Sequence, residues 1–389
     1  MSSALTAPAY AADGVNLDAG DSFSSFAAKV CRSTYGNSAY ITVTDRSNGL
    51  FRGPRTCKHK GLSSDCEFSL EPDGNGTKPI ITTAALAHAD SGYDLFAMTG
   101  MDSIRYGGKP LVLVNQLDVS SLGNPDDKSF KLFCEMMDGL GLVAKKQNVV
   151  LLKGETAEMS VCVASENPLA ETKYNWCGTM YSVFHPNALI TGAEAASVQI
   201  AIALRDVGLR ANGGSSARKA FAKQYGPQWW YAGQQAQQDI KAAAAPSALY
   251  ENLLANLNGW DDLNGDGVPQ PRMKIHGIAH ITGGGIPSKF FGDFLKPRGL
   301  SAELLDLWDP PQIMQKFAEW RGISGKEPYE IWHGGQGAIV IVDKADVDPF
   351  IAFAKEFGIH AKSAGQITRS EKPTLQIKSK FDGSILEWD

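Results

Sequence analysis

The chain has 389 residues, 43% of them apolar and 20% charged, so it can bury large cores and is expected to divide into two domains. A formal net charge of −5 without a long basic run gives no electrostatic case for nucleic acid or an anionic membrane surface. No stretch is long and apolar enough to span a bilayer, Met1 to Ala12 lacks the pattern of a secretory signal, and six scattered cysteines without a C-x-x-C pair fit free thiols in a reducing cytoplasm.

Strand-like and helical signals alternate along the chain, which predicts an α/β (α+β) protein. The first loop that carries chemistry is Asp73-Gly74-Asn75-Gly76-Thr77-Lys78. Asp102 follows, separated by four residues from Gly107-Gly108-Lys109-Pro110, and then Gly154-Glu155-Thr156-Ala157-Glu158-Met159. Each lies close to an apolar run, and together they read as one polyphosphate site. Carboxylates offer hard oxygen ligands to Mg²⁺, a lysine neutralises phosphate, and glycines let backbone N–H groups come close.

Branched apolar runs at 111–114, 149–152 and 338–342 predict buried strands. Phe130, Phe133, Met137 and Leu140 recur at helical spacing. A domain boundary is expected near His185-Pro186-Asn187, where a strand-like stretch gives way to an alanine-rich pattern at 193–204 that reads as a helix. Gly213-Gly214 opens a helix-like segment, 215–225, whose free N–H groups could receive a phosphate with Asn212 orienting it. His280 stands ahead of Thr282-Gly283-Gly284-Gly285, a second phosphate or substrate loop, and its imidazole could donate to substrate or shuttle a proton. Asp348-Pro349 should start a last helix with Phe350, Phe353 and Phe357 on one face.

Other patterns are discounted. Asp262 to Gly267 begins like a calcium loop, but Met273 stands where a bidentate glutamate is needed. Gly325-Lys326-Glu327 lacks the spacing and hydroxyl of a Walker loop. Trp229-Trp230-Tyr231 reads as packing.

In their order these motifs carry a resemblance. Tyr10 to Gly20 resembles the amino-terminal arm of the aminoimidazole ribonucleotide synthetase family, and residues 73–78 look like its D-G-x-G-T-K loop. Residues 94–98 with 102–110 resemble D-L-V-A-M…D-x4-G-A-x-P, residues 154–159 resemble G-E-T-A-E-M, and residues 278–285 resemble A-H-x-T-G-G-G. Each motif is weak alone, and their collinearity from Tyr10 to Val342 is strong. Three departures stand out. The family's upstream glycine-rich loop is replaced by Asp45 to Phe51, Arg210 stands at the histidine of H-S-N-G, and His333 replaces an asparagine near the end.

The resemblance implies an arm at 1–25, an ATP-binding and dimerisation domain at 26–186 and a substrate-binding domain at 187–389, with amino-terminal sheets pairing in a homodimer. It implies ATP-dependent closure of formylglycinamidine ribonucleotide to aminoimidazole ribonucleotide through an iminophosphate, with ATP and Mg²⁺ bound. On that footing Asp73, Asp102, Glu155 and Glu158 are the expected metal ligands, and Lys78, Gly74, Gly76, Thr77 and Thr156 contact nucleotide. Asn212, Gly213, Gly214, Thr282, Gly283 and Gly284 hold substrate, while Asp102, Lys78 and His280 serve catalysis. Selenophosphate synthetases, hydrogenase-maturation dehydratases and thiamine-phosphate kinases fit these motifs less well. A noncatalytic nucleotide-binding homologue is the reading from a different class.

Overall fold

The computed structural model describes residues 16–48 and 53–389, so the start of the arm, Tyr10 to Val15, and the tip of the divergent 45–51 segment lie outside the described residues. Helix α1 (Leu17–Ser33) begins where Asn16 caps it, its side chain accepting from the Ala19 N–H at 3.1 Å. It buries Ala19, Phe23, Val30 and Cys31 along one face and runs unbroken across residues 25 and 26. Strands β1 (Ile41–Asp45) and β2 (Arg55–His59) form an antiparallel ribbon.

Next come β3 (Glu67–Gly74), helices α2 (Lys78–Ala85) and α3 (Ser91–Ile104), β4 (Lys109–Val119), α4 (Lys128–Lys146), β5 (Val150–Glu158) and β6 (Tyr174–Phe184). The sheet they form has the order β3-β6-β4-β5, with β4 and β5 parallel because α4 crosses between them. Phe133, Met137 and Leu140 of α4 pack with Leu95, Leu113, Leu117 and Trp176 on one sheet face. The other face is open, leaving Leu70 63% exposed, as antiparallel sheets commonly do.

The second half holds β7 (Ile200–Arg205), α5 (Gly214–Tyr225), α6 (Gln234–Ala244), α7 (Glu251–Leu257), β8 (Ile275–His280), a π-helix at Pro287–Leu295 and β9 (Ser301–Leu304). After them come α8 (Gln312–Arg321), α9 (Glu327–Ile331), β10 (Gln336–Val342), α10 (Val347–Glu356), β11 (Ala361–Thr368), β12 (Leu375–Lys378) and β13 (Ile385–Trp388). Seven strands pair in the order β13-β12-β9-β11-β7-β10-β8. Every residue of β10 is buried, since both faces of this sheet are covered.

Residues 193–204 are not the helix that their alanines suggest. The chain is irregular up to β7, which sits between β10 and β11. Ile202 and Leu204 face one core while Ala201 and Ala203 face another. With both faces buried, no polar alternation marks the strand, and the small residues imitate helix propensity. Helix α10 also differs slightly: it starts at Val347 after a 3₁₀ turn, so Asp348 lies in its first turn instead of capping it.

The two halves are welded by a shared core. Met101, Ile104, Val112 and Val183 pack in one cluster with Ile202, Leu204, Leu253, Leu257, Trp260 and Val340. Buried Trp260 and Asn258 both donate to the Gly107 carbonyl, at 2.8 and 2.9 Å, which fixes the turn after α3 against the second half. The ends of β3 and α3 therefore face the loops of the second half across a seam.

Candidate active site

At the seam, four segments meet. The loop after β3 approaches the entry of α5: the Thr77 and Ser215 hydroxyls lie 3.3 Å apart, and a Cβ on Gly214 would come within 2.9 Å of Thr77 Oγ1. Gly213 takes φ +74, open to glycine, and a Cβ there would overlap the Trp332 ring at 2.3 Å. Asn212 Nδ2 donates to the Met98 sulfur at 3.5 Å, and its Oδ1 lies near the position a Cβ on Gly283 would take. The Thr282 carbonyl accepts from Gly285 N at 2.9 Å, closing the loop that carries Gly283 and Gly284.

Asp73 ends β3 and Asp102 lies near the end of α3, within electrostatic reach of each other. Burial pushes both carboxyls above their ordinary range. For Asp102, Arg105 offsets part of the rise, at 3.4 Å, while Asp73 and Glu71 add to it. A half-buried pair of carboxylates in mutual repulsion suits a divalent cation with hard oxygen ligands. Among the described residues, however, no three acidic, histidine or cysteine side chains converge as a metal site.

The other expected ligands lie elsewhere. Asp73, Gly178, Asn115 and Gly154 form one row across the sheet, which places Gly154 about 14 Å from Asp73 by strand spacing. Glu155, one residue on, projects from the open face, opposite to Asp73. With Thr156 it borders a groove of about 900 Å³ between α1, the open sheet face and Arg55. Glu158 is occupied: its carboxylate accepts from Asn16 N at 3.1 Å and Leu122 N at 2.7 Å, tying the start of α1 to the loop after β4.

Lys78 is turned inward. It is 1% exposed, and its Nζ donates to Asp94 at 2.7 Å and to the Ala245 carbonyl at 2.8 Å. Asp94 also accepts from the Ser247 hydroxyl at 2.6 Å. The expected phosphate contact is thus replaced by an ion pair across the seam, because α2 starts at Lys78 and buries its first turn.

Arg210 is likewise internal, with φ +53 and no exposed surface. It donates to Asp206 at 2.7 Å and to His280 Nε2 at 2.9 Å. Burial pushes Asp206 up, and the guanidinium beside it outweighs that, holding the carboxyl low. His280 is held well below neutrality by burial and then by Arg210. Since Nε2 accepts, the ring is neutral with its proton on Nδ1, so it can donate a hydrogen bond but cannot shuttle through an imidazolium. His333 braces the same turn, donating from Nε2 to the Gly208 carbonyl at 2.8 Å, and burial lowers it to about 4.

The family is decided by comparison with known sequences. Residues 61–173 match the AIR synthase related protein N-terminal domain and residues 268–378 match the corresponding C-terminal domain, together more than half of the chain. The chain belongs to the AIR synthase related family. A phosphoribosylformylglycinamidine cyclo-ligase of Prochlorococcus marinus is 26% identical over 97% of this chain and 99% of its own length. The protein of that name from Rippkaea orientalis is 29% identical over 92% and 96%. Thiamine-monophosphate kinase from Stenotrophomonas maltophilia superposes at TM-score 0.56 with 11% identity, over 91% of this chain and 95% of its own. Hydrogenase maturation protein HypE in complex with ATP does so at 0.53 with 13% identity, over 83% and 84%. These two structures share the fold.

Sequence reading for this AIR synthase related chain missed Asp94, Asp206 and Glu251 as partners. Glu251 opens α7, 2% exposed, and among the described residues neither carboxylate oxygen has a side-chain hydrogen-bond partner. Gly100 leaves it room, since a Cβ there would lie 2.9 Å from Glu251 Cγ. No periodic signal marks these residues, because their partners come from distant segments.

Two outcomes follow from these buried charges. Lys78→Ala strands Asp94 and should cost roughly 3–5 kcal/mol in urea unfolding; a fully stable variant with weakened ATP affinity alone would put Nζ at the phosphate instead. Burial raises Glu251 from 4.5 to about 8, so the native state binds this proton more tightly than the unfolded chain. Its ionisation therefore removes stability as pH rises from 4.5 toward 8, by up to about 1.4 kcal/mol per pH unit. Glu251→Gln should flatten that slope in pH-dependent unfolding, and an unaltered slope would refute the assignment.

Proposed function

We propose that this chain closes formylglycinamidine ribonucleotide into aminoimidazole ribonucleotide in de novo purine biosynthesis, converting ATP to ADP and phosphate, in the cytoplasm. The observation that carries the reading is the meeting of Asp73 and Asp102 with three glycine-bearing loops at the seam, in a chain matched nearly end to end by relatives named cyclo-ligases.

The chemical obstacle is an amide oxygen that cannot depart as oxide. Phosphorylation makes it a leaving group, after which the substrate's own nitrogen closes the ring and phosphate departs. Mg²⁺ held by Asp73 and Asp102 would supply charge compensation for the triphosphate. The chain's own part is placement. Thr77 and Ser215 present hydroxyls to phosphate oxygens, the free N–H groups at the start of α5 favour an anion, and the 282–285 loop offers backbone to substrate. His280 contributes a fixed N–H donor and no proton transfer at neutral pH.

A homodimer belongs to this proposal. On the open face of the four-stranded sheet Leu70 is exposed, and the rings of His59, Phe68 and Tyr181 stack, with centroids 4.1 Å apart for His59 and Phe68 and 5.3 Å for Phe68 and Tyr181. Apolar surface of this kind favours a partner. Glu155 projects from that side, so pairing two copies would let it serve a site completed by the second chain. Light scattering should give a dimer; a strictly monomeric, fully active protein would contradict it.

Purified protein given formylglycinamidine ribonucleotide, ATP and Mg²⁺ should form ADP and aminoimidazole ribonucleotide in equal amounts. Nucleotide binding without turnover would instead support a noncatalytic homologue. Asp102→Asn should lower turnover by about 100-fold or more while leaving the unfolding midpoint in place. Retained activity would remove Asp102 from the site.

A further inference from the structure

Beside the acidic pair, a small cavity of about 70 Å³ opens where the halves meet. Arg105 reaches it from the end of α3, His280 from β8, Lys289 and Asp293 from the π-helix, and Arg298 from the turn that follows. Three cations thus face one carboxylate.

Arg298 is already spent on building the wall. Its Nε, Nη1 and Nη2 donate to the carbonyls of Gly192, Phe294 and Thr191 at 3.0, 2.6 and 2.7 Å. The remaining donors are under-used. Arg105 meets Asp102 at 3.4 Å through Nη2, and its buried Nε has no acceptor among the described residues. His280 accepts at Nε2 from Arg210, so its proton sits on Nδ1, which has no acceptor among the described residues. Lys289 pairs with Asp293 at 3.0 Å, but that carboxylate is 59% exposed and such a pair exchanges readily.

We infer that this cavity binds a phosphate dianion, with Arg105, the His280 Nδ1–H and Lys289 as its donors. Tetrahedral oxyanions accept several charge-assisted hydrogen bonds at once, which is what this wall lacks. The volume is far below the roughly 300 Å³ at which whole small-molecule sites begin, so the cavity takes a group and not a nucleotide. Arg105 also touches Asp102, which puts the phosphate next to the proposed reacting centre. Resting on the ring-closure reading, the source is either the 5′-phosphate of the ribonucleotide or the orthophosphate that the reaction releases.

Inorganic phosphate binding to the full chain, followed by calorimetry, tests the cavity without any turnover. Lys289→Ala and Arg105→Gln should each weaken phosphate by about tenfold, and Asp293→Asn should tighten it by freeing Lys289. If the cavity holds the substrate's phosphate, the first two variants also raise KM for the ribonucleotide about tenfold but not KM for ATP. If it holds released orthophosphate, they abolish product inhibition by phosphate and leave KM for the ribonucleotide in place. Either pattern supports the site. Folded variants, checked by circular dichroism, with phosphate affinity equal to that of the unaltered chain would overturn it. A chain that binds phosphate in this pattern yet forms no aminoimidazole ribonucleotide would keep the cavity and defeat only the ring-closure reading.

Discussion

Lys78 and Asp94 form a buried ion pair on which the placement of the whole seam depends. The lysine starts α2, the aspartate lies in α3, and their remaining bonds go to the Ala245 carbonyl and to Ser247, in the segment leading to α7. An isolated charge at that depth is strongly unfavourable, so each group holds the other, and both hold the second half in register with the first. The apolar cluster around Met101, Leu253 and Trp260 supplies nondirectional attraction across the same junction. The ion pair adds direction, bringing residues 73–77 and 212–215 to within hydroxyl contact.

A second buried network shapes the chemistry from behind. Asp206 and Arg210 neutralise each other, and Arg210 forces His280 into one neutral tautomer. Charges paired without exposed surface, Asp206 with Arg210, are structural even though the Arg210 Nε meets no acceptor among the described residues, whereas the half-buried ones gather along the seam: Asp73 and Asp102 repelling each other, and Arg105 reaching Asp102. That division between spent and available groups is what distinguishes scaffold from site here, and both classes contain the same residue types.

Much of the architecture was legible. Strand runs at 111–114 and 338–342 fall within β4 and β10, the run at 149–152 overlaps β5 from Val150 on, and the glycine pair marks the start of α5, because each signal is local and survives in any context. The strand β7 was not, since burial on both faces erased its alternation. Of the expected site, Asp73, Thr77, Asp102, Asn212, Gly213, Gly214 and the 282–284 loop are brought to the seam, while Glu155 and Thr156 border the groove beside α1 at the β5 edge of the sheet and Glu158 anchors α1.

The order of motifs, the glycines demanded by close backbone approach and the helical and strand periods belong to the sequence alone, and they were enough for the family and the class of chemistry. Which charges face solvent and which face inward was decided only in three dimensions. Lys78 finds its partner 16 positions away and Arg210 reaches a histidine 70 positions away. Glu155 is separated from Asp73 by three strand spacings and by an alternation of the pleat. A side chain's type states what it can bind, but the turn of a loop and the face of a strand determine whether that capacity is spent inside the protein or left free for a ligand.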